Sequence, residues 1–265
     1  MMDKIILGRY VPADSVLHRM DPRSKLIIIF LFVCIVFIAN NTLTYGILLA
    51  YTLFMIAISK IPFRFILNGL IPIIWLVIFT LLIHLFFTRE GDVLVDIGWL
   101  KIYEEGVRQG VFISLRFFLL ILVTSLLTLT TTPIEITDGI EYLLAPLKKI
   151  KFPVHELALM MSIALRFIPT LMQETDIIMK AQSARGVDFT TGPIKERLKA
   201  IIPLLIPLFI SSFKRAEELA IAMEARGYRG GEGRTKYRQL SWGFSDTAMI
   251  LVLLSVTVLL IIFRT

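Results

Sequence analysis

The sequence predicts an all-α membrane protein: about five transmembrane helices, with a cytoplasmic or interfacial domain of amphipathic helices inserted between the fourth and fifth. Three observations predict it. Hydrophobic residues make up 56% of the 265 and charged residues only 18%, whereas soluble domains are ~45–50% apolar; the mean hydropathy is +0.78. Uncharged apolar stretches recur at lengths suited to a hydrocarbon core ~30 Å thick, crossed at ~1.5 Å per residue. Charge gathers instead between Pro133 and Ser245, where sixteen Lys or Arg accompany twelve Asp or Glu. The chain therefore divides into 1–132, 133–245 and 246–265.

The elements follow in order. The opening "MMDKIILGRYVPADSVLHRMDPRSK" is polar and lacks a continuous apolar core before a small-residue cleavage site, so it is expected to stay on the mature protein. Leu26–Ala39 and Leu43–Ser59 are short apolar runs separated by Asn40, Asn41 and Thr42. Adjacent asparagines are costly deep in lipid and make a turn at its surface, which reads as a tight helical hairpin. Phe65–Phe87 carries no charge and is the clearest span, with a kink expected at Pro72. Val111–Thr131 is the fourth, with Arg116 near enough to one end to snorkel, and Ala248–Phe263 closes the chain.

Loop charge gives the orientation. Lys4, Arg9, Arg19, Arg23 and Lys25 precede the first span, and "KIPFR" after the second carries Lys60 and Arg64 without an acid. The link after the third span opposes Glu90, Asp92, Asp96, Glu104 and Glu105 to Arg89, Lys101 and Arg108. The N-terminus and the charged domain are thus expected in the cytoplasm and the C-terminus outside.

Within 133–245 two stretches imitate spans. Val154–Met172 contains His155, Glu156 and Arg166, and an arginine at mid-span costs ~2.5–3.5 kcal/mol on insertion scales. Ile201–Ile210 is too short and holds Pro203 and Pro207. Both read as amphipathic helices at or below the cytoplasmic interface. One stripe runs from Ile168 through Leu171, Met172, Thr175, Ile178 and Met179 to Gln182, with Glu174 facing elsewhere; another joins Phe209, Phe213, Ala216, Ala220 and Met223, with Arg215 outside it. Ala216 and Ala220, one turn apart, would let another helix approach closely.

Each of these helices ends alike: Ala184-Arg185-Gly186 and, forty-one residues later, Ala225-Arg226-Gly227. Glycine past a helix whose last turn holds a cation is an ordinary stop, since Gly adopts φ > 0 and the cation complements the negative helix end. Repetition argues for more. The small residue before each arginine leaves the guanidinium uncluttered, and arginine makes bidentate, charge-assisted bonds worth about 1.5–3 kcal/mol each when shielded.

With "HRMDPRSKL" (18–26), "LRFIPTL" (165–171), "SARG" (183–186) and "IPLLIPLFISSFKRAEELAIAMEARGY" (202–228), the chain resembles the transmembrane component of energy-coupling factor transporters, bacterial importers of vitamins and trace metals, over nearly its whole length. The resemblance implies a non-catalytic subunit whose coupling helices cross one another. It implies three partners besides the lipid bilayer: two ABC ATPases, which carry the ATP and Mg, and a small membrane-embedded S component that binds substrate. Arg185 and Arg226 would each seat in a groove on one ATPase. Ala216, Ala220 and Ala222 are then expected to set the crossing, and Met160, Met161, Met172, Met179, Phe209 and Phe213 to grip the S component, methionine being adaptable. A permease dedicated to one metal importer, for cobalt or nickel, is the alternative.

Other classes are excluded or disfavoured. Nucleic acid is not an expected partner, because the net +7 charge comes without a long basic run. Cys34 is the only cysteine, which excludes an intrachain disulfide, and His18, His84 and His155 lack ligand spacing, so no metal site or cofactor is expected on this chain. "GYRGGEGRTK" is Gly-rich without the spacing of a phosphate loop and reads as a mobile loop. A self-sufficient carrier would need paired ionisable groups at the bilayer midplane. The spans provide almost only His84 and Arg116.

Overall fold

The computed structural model describes residues 10–97, 100–189, 193–230 and 239–264. They form two compact units, Leu7–Leu143 with Leu240–Thr265, and Leu144–Gln239.

The larger unit is a helical bundle: α1 (Val16–Arg19), α2 (Pro22–Val36), α3 (Thr42–Ser59), α4 (Phe63–Phe87), α5 (Glu104–Thr130), α6 (Pro133–Leu143) and α9 (Phe244–Ile262). Helix α2 lies against α5, α6 and α9, and α5 also packs on α3 and α4. Its core is built from Ile28, Phe32 and Val36 of α2, Leu48 of α3, Leu119, Val123 and Leu126 of α5, and Leu253 and Leu260 of α9. Close approach of α4 and α5 depends on Gly106, where an added Cβ would meet the His84 carbonyl at 2.9 Å.

The sequence explains the helix ends. Asp21 caps α2, its side chain accepting the Arg23 N–H, and Pro22 occupies the first helical position, where no N–H is needed. Asn41 caps α3 by accepting the Thr44 N–H at 2.8 Å, while Thr44 Oγ1 accepts the Asn41 N–H at 3.1 Å. That reciprocal pair is the tight turn expected at Asn40–Thr42. Glu135 and Thr132 cap α6 in the same reciprocal way.

Among the described residues, four helices are long and apolar enough to cross a membrane by length and composition: α3, α5, Val154–Ala184 and α9. Helix α2 has 15 residues, about 22 Å, and begins among Arg23 and Lys25; α4 has 25 residues and includes the apolar stretch Ile73–Phe87. The acidic link after α4 is not irregular: β1 (Val93–Ile97) and β2 (Leu100–Tyr103) pair antiparallel there. Lastly, α6 belongs to the bundle, since Gly139 sits so close to α2 that a Cβ would meet Leu26 Cδ1 at 2.9 Å. By compactness the chain divides after Leu143 and again before Leu240.

The second unit contains a 3₁₀ segment (Ala145–Ile150) and two long helices, α7 (Val154–Ala184) and α8 (Ile194–Ala225). The apolar stretches 154–172 and 201–210 are not separate helices. Each is absorbed into one of about 30 residues that continues through Pro169, or through Pro203 and Pro207. Only 11% of the apolar window of α7 is buried, against 39% for α3; α7 therefore presents its apolar residues outward. Of the Gly-rich stretch "GYRGGEGRTK", residues 231–236 lie outside the described residues.

Candidate functional site

Helices α7 and α8 meet in antiparallel sense through polar contacts. Glu174 of α7 accepts from Ser211 Oγ at 3.1 and 3.0 Å and from Arg215 Nε at 3.1 Å, and Arg215 Nη2 donates to the same carboxylate. Further along, Gln182 Nε2 donates to the Pro203 carbonyl at 3.5 Å. That carbonyl is the one orphaned by Pro207, which has no N–H to return four residues. A proline that weakens α8 thus supplies the acceptor that holds it to α7.

This corrects two orientations. Glu174 and Arg215, read from periodicity as facing away, are the pair that joins the helices. Ala216 and Ala220 do border the groove between them, a cavity of about 320 Å³ walled by Phe167, Leu171, Leu219 and Met223. Ala222 lies on the exposed side of α8, as do Phe209 and Phe213, which are 60% and 72% exposed. On α7, Met160 and Met161 are exposed and Met172 and Met179 half-buried.

The two Ala-Arg-Gly ends fold identically. At the first, Gly186 N–H donates to Ser183 O at 3.0 Å and Val187 N–H to Gln182 O at 3.0 Å. At the second, Gly227 N–H donates to Glu224 O at 2.8 Å and Tyr228 N–H to Met223 O at 3.0 Å. Both are Schellman closures, which require a left-handed residue after the C-cap. Gly186 and Gly227 provide it with φ of 88° and 74°. No atom lies within 4 Å of a Cβ added at either, so backbone conformation and not crowding selects glycine here. Ala184, Arg185, Gly186, Ala225, Arg226 and Gly227 are all exposed, and among the described residues no ion pair holds either arginine.

Because the helices run antiparallel, each tip lies beside the beginning of the other helix. At ~1.5 Å per residue each helix is about 45 Å long, so the arginines sit far apart. At the second tip, Arg166 of α7 joins Arg226 and Arg229 around a cavity of about 570 Å³. Arg166 was legible only as an awkward charge for a lipid span. Among the described residues, no cluster of three or more His, Cys, Asp or Glu could hold a metal ion.

Helices long and apolar enough to cross a membrane, with a long antiparallel pair whose two ends match, define an α-helical membrane protein. Comparison with known proteins agrees. The chain matches the cobalt transport protein family, CbiQ, over residues 13–237. It is 65% identical over 264 residues to the energy-coupling factor transporter transmembrane protein EcfT of Bacillus subtilis, covering 100% of both chains. Identity to the protein of that name from Listeria innocua is 59% over 253 residues, 96% of each chain, and to that from Streptococcus thermophilus 53% over 259 residues, 98% of each. The chain belongs to this family of transmembrane components of energy-coupling factor transporters.

Proposed function

We propose that the chain is the mechanical link of a micronutrient importer, carrying ATP-driven motion of two ATPase subunits to a membrane-embedded S component that holds the substrate. The observation that carries this reading is the pair of identical Schellman-closed tips, each presenting an exposed arginine, at opposite ends of two helices tied together by Glu174, Ser211 and Arg215. Two like tips fit two like receptors. Arg185 and Arg226 each seat in a groove of one ATPase, where carboxylates or backbone carbonyls meet the guanidinium fork. ATP and Mg belong to those partners, and this chain performs no chemistry.

Closure of the ATPases displaces both tips, and the tied helices carry the displacement toward the bundle. The exposed apolar residues of α7 and α8, among them Met160, Met161, Phe209 and Phe213, supply a surface for the S component. The push reorients that partner only by as much as its contacts differ between the two states. In this reading the N-terminus and the α7–α8 unit are cytoplasmic, and the C-terminus is external. Full-length similarity to energy-coupling factor proteins disfavours a permease dedicated to cobalt or nickel.

The test is co-purification from detergent-solubilised membranes. Two ATPase chains and a small hydrophobic S component are expected with the wild type. Arg185→Glu with Arg226→Glu should release the ATPases and retain the S component; retention of both ATPases would remove the role assigned to the tips.

A further inference from the structure

At the end of the bundle where α3 and α5 both begin, the α2–α3 turn stands against the first turns of α5. Phe112 of α5 stacks on Tyr45 of α3 with ring centroids 5.0 Å apart, which fixes the two helices side by side. Between the turn and α5 lies a cavity of about 520 Å³ bordered by Asn40, Asn41, Thr42, Arg108, Val111 and Phe112, with no acid among its lining residues. Both helices are long and apolar enough to span a bilayer, so their common end lies at headgroup level.

Two arginines address this place. Arg108 and Arg116 lie eight residues apart on one face of α5, with Phe112 between them. A helical side chain leans toward the helix N-terminus, which brings the Arg116 guanidinium back to the end of α2, beside the α2–α3 turn. There it lies 5.2 Å over the Phe37 ring and makes one long bond, 3.5 Å, to the Ala39 carbonyl, while its Nε is buried with no partner. Arg108 has Glu105 only at 3.6 Å, with 59% of its own side chain exposed. Beside the polar mouth, Phe37, Leu43 and Val111 are exposed and continue into the lipid-facing surface. A cationic cavity with an apolar flank at headgroup level suits an anion that carries acyl chains.

We propose that this cavity holds the phosphate headgroup of an anionic phospholipid, with Arg108 lining it, Arg116 beside the adjoining turn and the acyl chains along Phe37, Leu43 and Val111. The site ties lipid composition to the contact between the α2–α3 turn and α5, independently of the ATPase-facing tips.

The experiment exposes the purified full-length chain to equimolar phosphatidylglycerol and phosphatidylcholine and counts retained lipid by native mass spectrometry. Phosphatidylglycerol should be retained preferentially, and the preference should fall about fivefold for each arginine neutralised in Arg108→Gln and in Arg108→Gln/Arg116→Gln. Arg108→Lys, which keeps the charge, should retain the preference. Arg108 is exposed, so the single variant tests the site without disturbing the core. Equal retention of the two lipids by the wild type, no retained lipid, or a preference unchanged in Arg108→Gln would overturn the proposal.

Discussion

The carboxylate of Asp246 accepts the backbone N–H of Asp21 at 2.9 Å, joining residues 225 positions apart. The Ser24 hydroxyl donates to the same oxygen, Oδ1, and the other oxygen accepts the Gly243 N–H at 2.7 Å. One buried side chain therefore caps α9 and anchors the start of α2. Around it, Asp21 and Arg23 form a buried ion pair, and the Arg23 guanidinium lies 4.1 Å over the Tyr142 ring of α6. Lys25 reaches the Thr130 carbonyl and Thr131 Oγ1 at the end of α5, both at 3.1 Å. The "MDPRSK" segment thus fastens α5, α6 and α9 to α2.

Asp246→Ala should consequently destabilise the bundle by about 3 kcal/mol, because charge-assisted bonds are lost and buried donors left without partners. Asp246→Asn, which keeps one acceptor, should lose less. Thermal unfolding of the detergent-solubilised chain measures both; equal stability of Asp246→Ala and wild type would show that the bundle closes without this clasp.

At the α7–α8 junction, Glu174→Ala and Arg215→Ala should be non-additive, since each removes the other's partner. Two guanidinium nitrogens converge on one carboxylate oxygen and the pair is partly exposed, so the coupling should be modest. In the assembled transporter, either variant should lower substrate uptake while ATP hydrolysis persists, because the tips remain intact and only the link between them loosens. Loss of ATP hydrolysis in parallel with uptake would place Glu174 in assembly rather than in transmission.

What the sequence disclosed and what it hid separate by distance along the chain. The Ala-Arg-Gly tips were legible because a Schellman closure is complete within six residues, from Gln182 to Val187 or Met223 to Tyr228. The Asn41–Thr44 turn was legible for the same reason. Asp246 was not, since its partners at Asp21 and Ser24 are brought to it only by folding. Periodicity misplaced Glu174 and Arg215 because it sorts residues by polarity, whereas these helices meet through a polar seam. The strands Val93–Ile97 and Leu100–Tyr103 were hidden because the charges of this link were read for orientation alone. Helix α6 was grouped with 133–245 by its charged composition; Gly139, which allows it onto α2, carries no such signal.

Gly186→Ala and Gly227→Ala probe the tips without touching their charge. Space is open at both positions, so the whole effect comes from forcing a Cβ into a left-handed conformation, about 1–2 kcal/mol at each site. The last turn of α7 or α8 should fray, with faster amide exchange at Val187 or Tyr228, whose N–H groups close the motif. Asn, which tolerates φ > 0 better than Ala, should restore much of the closure. ATPase capture should follow the same order, Gly above Asn above Ala, even though the arginine is unchanged throughout. If exchange rises as expected while capture stays constant, the guanidinium alone suffices for docking and the rigid closure of the tip has no part in it.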